Sequence, residues 1–141
     1  MRILAIESSA VTASVAILTD DTLTAEYTIN YKKTHSQTLL PMIDEICDMT
    51  EVKPDEFDVV AVSTGPGSFT GLRIGVATGK GIALATGIKM AAVPTLVSLY
   101  VLSWMPEGSI STTIYFSLMK TTDSVDAGNS RLIHMINLLL N

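Results

Sequence analysis

The chain has 141 residues, a formal net charge of −5 and 48% hydrophobic residues. That length suits one domain with its own core, and that composition excludes a disordered chain. The acidic balance excludes a basic face for gripping a phosphate backbone, and a mean hydropathy of +0.41 points to apolar surface built for a partner or to a core opened by truncation.

Residues 2–7 and 11–18 read as strands joined by the small-residue turn Ser8-Ser9-Ala10. In that reading Glu7 is an exposed residue at a strand end. It also interrupts the apolar run from Ile3 to Ile6, so no secretory signal is read there. From Thr22 to Ile29 apolar and polar residues alternate, with Leu23, Ala25, Tyr27 and Ile29 on one side. This pattern predicts a half-buried strand closing an antiparallel meander.

After a polar connection, Leu39, Leu40, Ile43, Ile46 and Cys47 recur at helical spacing, with Asp44, Glu45 and Asp48 opposite. Pro41 lacks an amide donor and is expected in the first turn or at a kink. Cys47, the single cysteine, excludes an internal disulfide and reads as a small core residue in a reducing compartment. Residues 51–58 form a polar linker, and residues 57–62 a buried strand.

The glycine-rich stretch that follows, Ser63-Thr64-Gly65-Pro66-Gly67-Ser68-Phe69-Thr70-Gly71, is the most informative part of the chain. It opens a helix carrying Gly71, Gly75, Gly79, Ala83 and Gly87, each four apart. Two uses fit. Gly65, Gly67, Ser68, Thr70 and Gly71 could cradle an anion at a helix N-terminus. The stripe of small residues could instead let another backbone approach closely, either a partner's helix or the chain's own sheet. The spacing matches neither the Walker nor the dinucleotide fingerprint. Residues 90–93 read as a short strand and residues 95–102 as a helix capped by Thr95. The uncharged stretch 90–106 is thus a strand and a helix rather than a membrane span.

The segments MRILAIESS, THSQTLLPMIDEI and GPGSFTGLRIGVATGKGIALA, in that order, resemble the bacterial TsaB family, also called YeaZ. The resemblance covers about residues 1–100 and implies the first domain of an actin-like ATPase (ribonuclease H-like) α/β fold, with a mixed sheet and flanking helices. It implies a non-catalytic cytoplasmic subunit that pairs with TsaD, reaches TsaE through the complex, and meets tRNA only indirectly. The supported reaction is threonylcarbamoyl transfer to the tRNA adenosine beside the anticodon. A homodimer is the other pairing. The implied partner face comprises Leu39, Leu40, Ile43 and Ile46 with Gly71, Gly75, Gly79 and Ala83.

Residues 103–141 depart from the family pattern, which would continue into a second sheet domain with a segment of the kind DARR. They read as a divergent tail, left by truncation or a shifted reading frame, with a short strand at 113–118 and an apolar helical stretch at 131–140. With residues 1–102 supplying half a cleft, no cofactor is expected on the chain alone, and ATP or ADP only at a complex interface. His35 and His134 lie far apart, unlike the HxxxH metal pair of TsaD. The alternatives are an ATP-binding enzyme of the actin-like class or a glycoprotease-like hydrolase.

Overall fold

The computed structural model describes residues 1–20, 22–30 and 34–96. Five strands and two helices follow in order: β1 (Arg2–Glu7), β2 (Ala13–Thr19), β3 (Thr22–Ile29), α1 (His35–Thr50), β4 (Val59–Gly65), α2 (Phe69–Thr86) and β5 (Lys89–Pro94). A 3₁₀ turn, Pro54–Glu56, interrupts the linker before β4. The strands form one sheet in the order β3-β2-β1-β4-β5. β1, β2 and β3 pair antiparallel, whereas β4 lies parallel to both β1 and β5. This is the α/β domain expected from the element order.

The central strands are apolar on both sides because both faces of the sheet are buried. Leu4, Ile6, Val15, Ile17, Val60 and Val62 pack on one face with Leu39, Met42, Ile43, Ile46 and Cys47 of α1. Ile3, Ala5, Ala16, Leu18, Val59, Ala61 and Val93 make up the other. β3 stands at the edge, and its Ala25, Tyr27 and Ile29 pack against the α1 side as the alternation predicts. Leu23 leaves that stripe. A register shift at Ile17/Leu18 pairs Leu23 with Leu18, whose side chain belongs to the opposite face.

Several boundaries and positions differ from the sequence reading: β2 runs Ala13–Thr19 rather than over 11–18, and β5 Lys89–Pro94 rather than over 90–93. β4 begins at Val59 and runs on through Ser63 and Thr64 to Gly65, because β5 pairs with it that far. Phe57 is buried but precedes the strand. Pro41 lies inside α1 rather than in its first turn. Both Pro41 and Gln37, whose carbonyl it leaves unbonded, are exposed, so water can take that place. α2 ends where expected: Gly87 adopts φ 75° and donates its N–H to Ala83 O at 2.9 Å.

The glycine stripe faces inward. A Cβ on Gly71 would lie 2.1 Å from Ser8 O, one on Gly75 2.2 Å from Ser8 Oγ, and one on Gly79 2.4 Å from Val62 Cγ2. α2 thus rests on the chain's own sheet at a separation that no side chain permits. Gly71, Gly75 and Gly79 are buried and unavailable to a partner, which corrects their assignment to a partner face. Lys80, next to Gly79 in sequence, is exposed.

The helix reading of residues 95–102 lies outside the described residues beyond Leu96, as do the readings for residues 103–141, His134 included. Among the described residues no helix is long and apolar enough to cross a membrane.

Gly81 has open space around it, with nothing within 4 Å of a built Cβ. Gly79→Ala should therefore destabilise the fold by about 1–3 kcal/mol through overpacking. Gly81→Ala should stabilise it by roughly 0.5–1 kcal/mol through helix propensity. Urea denaturation of both variants checks the pair of opposite signs.

Candidate functional site

The carboxyl ends of β1 and β4 meet at one place, and the polar side chains there are tied together. The parallel register Ile6↔Val62 sets Glu7 beside Ser63. Glu7 is only 3% exposed, which corrects its reading as an exposed strand end. Its Oε1 accepts the N–H of Ser9 at 2.6 Å, and its Oε2 accepts the hydroxyl of Ser63. A buried carboxylate is tolerated because both oxygens have donors.

The turn after Glu7 is held from three more directions. Ser8 Oγ donates to Gly71 O at 2.9 Å, Ser68 N–H to Ser9 O at 2.7 Å, and His35 Nε2 lies 2.9 Å from Ala10 O, where a carbonyl requires a donor. His35 therefore neither caps α1 nor hangs free. Thr34 occupies the N-cap, and the His35 ring pins the turn instead.

This arrangement also decides what the glycine loop does. Ser68 gives its N–H to Ser9 O, while its Oγ accepts the N–H of Gly71 at 3.3 Å. A Cβ on Gly67 would lie 2.5 Å from Ser9 O. Gly67, Ser68 and Gly71 thus dock the loop onto the turn after β1. Gly65 sits at the end of β4 opposite Pro94 with φ 107°, and Thr70 is exposed in the first turn of α2. The five loop residues come together in space, but as a joint between β1, β4 and α2.

Among the described residues no group of three or more His, Cys, Asp or Glu side chains could hold a metal. Cys47 is buried, and that desolvation pushes its thiol pKa up, with Asp44 and Asp48 adding to the rise. A neutral, enclosed thiol is no nucleophile at neutral pH.

Several exposed apolar side chains lie on the other side of the helices, while Met1, Val11, Leu23 and Leu96 are exposed elsewhere. Phe69 is 73% exposed and Leu84 87%, and with Arg73, Ala77 and Lys80 they form a stripe opposite the buried glycines. The Arg73 guanidinium sits 5.3 Å from the Phe69 ring centroid. Thr70, Arg73, Ile74 and Ala77 line a shallow depression of about 370 Å³. On α1, Leu40 is 58% exposed, whereas Leu39, Ile43 and Ile46 are core residues. Of the eight residues assigned to a partner face, Leu40 is exposed and Ala83 half-buried, and the other six face inward. Phe69, Arg73, Ala77 and Leu84 were missed, although their spacing of four, four and seven was visible in the chain.

A family model described as TsaD, tRNA N6-adenosine threonylcarbamoyltransferase, matches residues 22–135. The chain belongs to the TsaB/YeaZ group of that actin-like family. It is 38% identical over 99 residues to the tRNA threonylcarbamoyladenosine biosynthesis protein TsaB of Bacillus subtilis, covering 70% of this chain and 43% of that protein. It is 35% identical over 109 residues to TsaB of Escherichia coli, covering 77% and 47%. The solved structure of YeaZ from Pseudomonas aeruginosa superposes with a TM-score of 0.69 at 31% identity, over 73% of this chain and 48% of that one. The chain spans about half the length of these relatives. The family match runs past residue 102, where the sequence alone suggested a break.

Removing the Glu7 carboxylate would orphan a backbone N–H and a buried hydroxyl. Glu7→Ala should lower stability by about 2–6 kcal/mol, from roughly 1–3 kcal/mol for each unsatisfied group. Glu7→Gln, which keeps one acceptor oxygen, should lose about half as much. Chemical denaturation followed by circular dichroism measures both.

Proposed function

We propose that the chain is a non-catalytic partner subunit that pairs with TsaD and supports threonylcarbamoyl transfer to the tRNA adenosine next to the anticodon. The observation that carries this reading is the exposed stripe on α2, with Phe69, Arg73, Ala77 and Leu84 outward while the helix's glycines are spent on the sheet. A helix that leaves large apolar side chains in water, beside a shallow depression, is shaped to receive a second surface. Leu40 extends the apolar surface to α1.

The closed turn supports the non-catalytic part. The loop that would face a phosphate is docked on Ser8 and Ser9 through Ser68 and Gly67. Nucleotide would then enter only at an interface with a partner that brings its own phosphate loop. The net charge of −5 argues for tRNA contact through the complex rather than directly. TsaE is reached through the same complex, and the cytoplasm is where tRNA and these partners meet.

Leu84→Glu and Leu40→Glu should each weaken TsaD binding by about tenfold or more, equivalent to roughly 1.4 kcal/mol. The far-ultraviolet spectrum should not change, because neither side chain is in the core. Calorimetric titration of TsaD into each variant reads the effect. Undiminished binding by the folded double variant would move the partner face elsewhere, and light scattering of the chain alone separates self-pairing from pairing with TsaD. Addition of ATP to the chain alone should give no heat above the dilution control.

A further inference from the structure

The charges on the two helices are sorted by sign. α2 carries only Arg73 and Lys80, both exposed and both positive, in a chain whose formal charge is −5. Neighbouring α1 carries Asp44, Glu45 and Asp48, all exposed, and no Lys or Arg. The outer side of the pair therefore has a cationic half and an anionic half. Among the described residues no carboxylate lies within ion-pair distance of Arg73. Its guanidinium lies instead over the Phe69 ring, 5.3 Å from the centroid, and it forms one wall of the depression completed by Thr70, Ile74 and Ala77.

We propose that Arg73 is the charged anchor of this face, and that TsaD brings an acidic surface over α2 whose carboxylate enters the depression and pairs with the Arg73 guanidinium. This rests on the pairing with TsaD proposed above. A planar guanidinium matches a carboxylate with two parallel hydrogen bonds, and stacking on an aromatic ring leaves its N–H edge free to make them. Phe69, Ile74 and Ala77 surround the pair with apolar surface, so closing the interface removes water from it and strengthens the attraction. A purely apolar partner would instead bury the guanidinium with nothing to compensate its lost hydration, and a basic partner would add repulsion from Arg73 and Lys80. The carboxylates of α1 repel the same acidic surface, which directs it onto α2. Charge thus fixes which way round the partner lies, while the exposed apolar side chains supply contact area.

Calorimetric titration of TsaD into the full chain at about 50 mM and about 500 mM salt, from weak to strong screening, tests this. At low salt Arg73→Ala should weaken binding by about tenfold or more, as expected of an interface hot spot. Arg73→Glu should weaken it further, and Arg73→Lys less than Arg73→Ala because the charge is kept. Wild-type affinity should fall with salt, and Arg73→Ala should flatten that dependence. Lys89→Ala, which removes the same charge from an exposed position outside α2, should leave affinity within about twofold. Wild-type affinity and salt dependence in Arg73→Glu would overturn the proposal, and continued weakening by Leu84→Glu would show that the pairing itself stands. Weakening by Arg73→Ala without the flattening would give Arg73 a packing role and overturn the proposal as well. No binding of TsaD by the wild-type chain would overturn the pairing, and the anchor with it.

Discussion

A methyl group on Gly79 would lie 2.4 Å from Val62 Cγ2, and one on Gly75 2.2 Å from Ser8 Oγ. That separation between α2 and the sheet is the constraint on which the rest of the molecule depends. It sets the rotation of α2, because the three buried glycines must face β1 and β4. Rotation in turn decides that Phe69, Arg73, Ala77 and Leu84 point outward. It also brings the N-terminus of α2 onto the turn after β1, where Ser8 reaches Gly71 O and Ser68 reaches Ser9 O. The helix-propensity cost of interior glycine, about 1 kcal/mol each, is offset by this close seat rather than by a partner.

The same contact links the fold to its function. In a sheet with parallel β1, β4 and β5, ligands would be expected outside the carboxyl ends of the strands. Here that place is filled by Glu7, Ser63, Ser9 and the docked glycine loop, with their hydrogen bonds made to one another. Chemistry at this end of the chain would have to begin by breaking a satisfied buried network, which is costly. Among the described residues, the outer side of α1 and α2 carries the exposed apolar side chains Leu40, Phe69 and Leu84.

Much of this was legible in the sequence, and the exceptions share one cause. Alternation in Ala25, Tyr27 and Ile29 and the stop at Gly87 are local signals, and each appears in the fold as read. The position of Glu7 depends on the parallel register with β4, more than fifty residues away, which no local pattern encodes. The glycine stripe announced a close approach without naming the approaching surface, because a sheet and a partner helix place the same demand on Cβ. Its opposite face was readable at the same time, since residues 69, 73, 77 and 84 follow helical spacing and include two large apolar side chains. Pro41 lies beyond the first turn of α1, where the exposed carbonyl of Gln37 can be served by water, a circumstance of burial rather than of propensity.

The most direct test of the inward stripe is a double-mutant cycle between Gly79 and Val62, read by equilibrium denaturation. If Val62 Cγ2 is what forbids a side chain at position 79, shortening Val62 to alanine should relieve most of the penalty of Gly79→Ala. The two variants should then couple by about 1–2 kcal/mol, well above the ~0.5 kcal/mol expected of independent sites. Strict additivity would contradict the account, because it would mean that Gly79 does not owe its identity to the chain's own sheet.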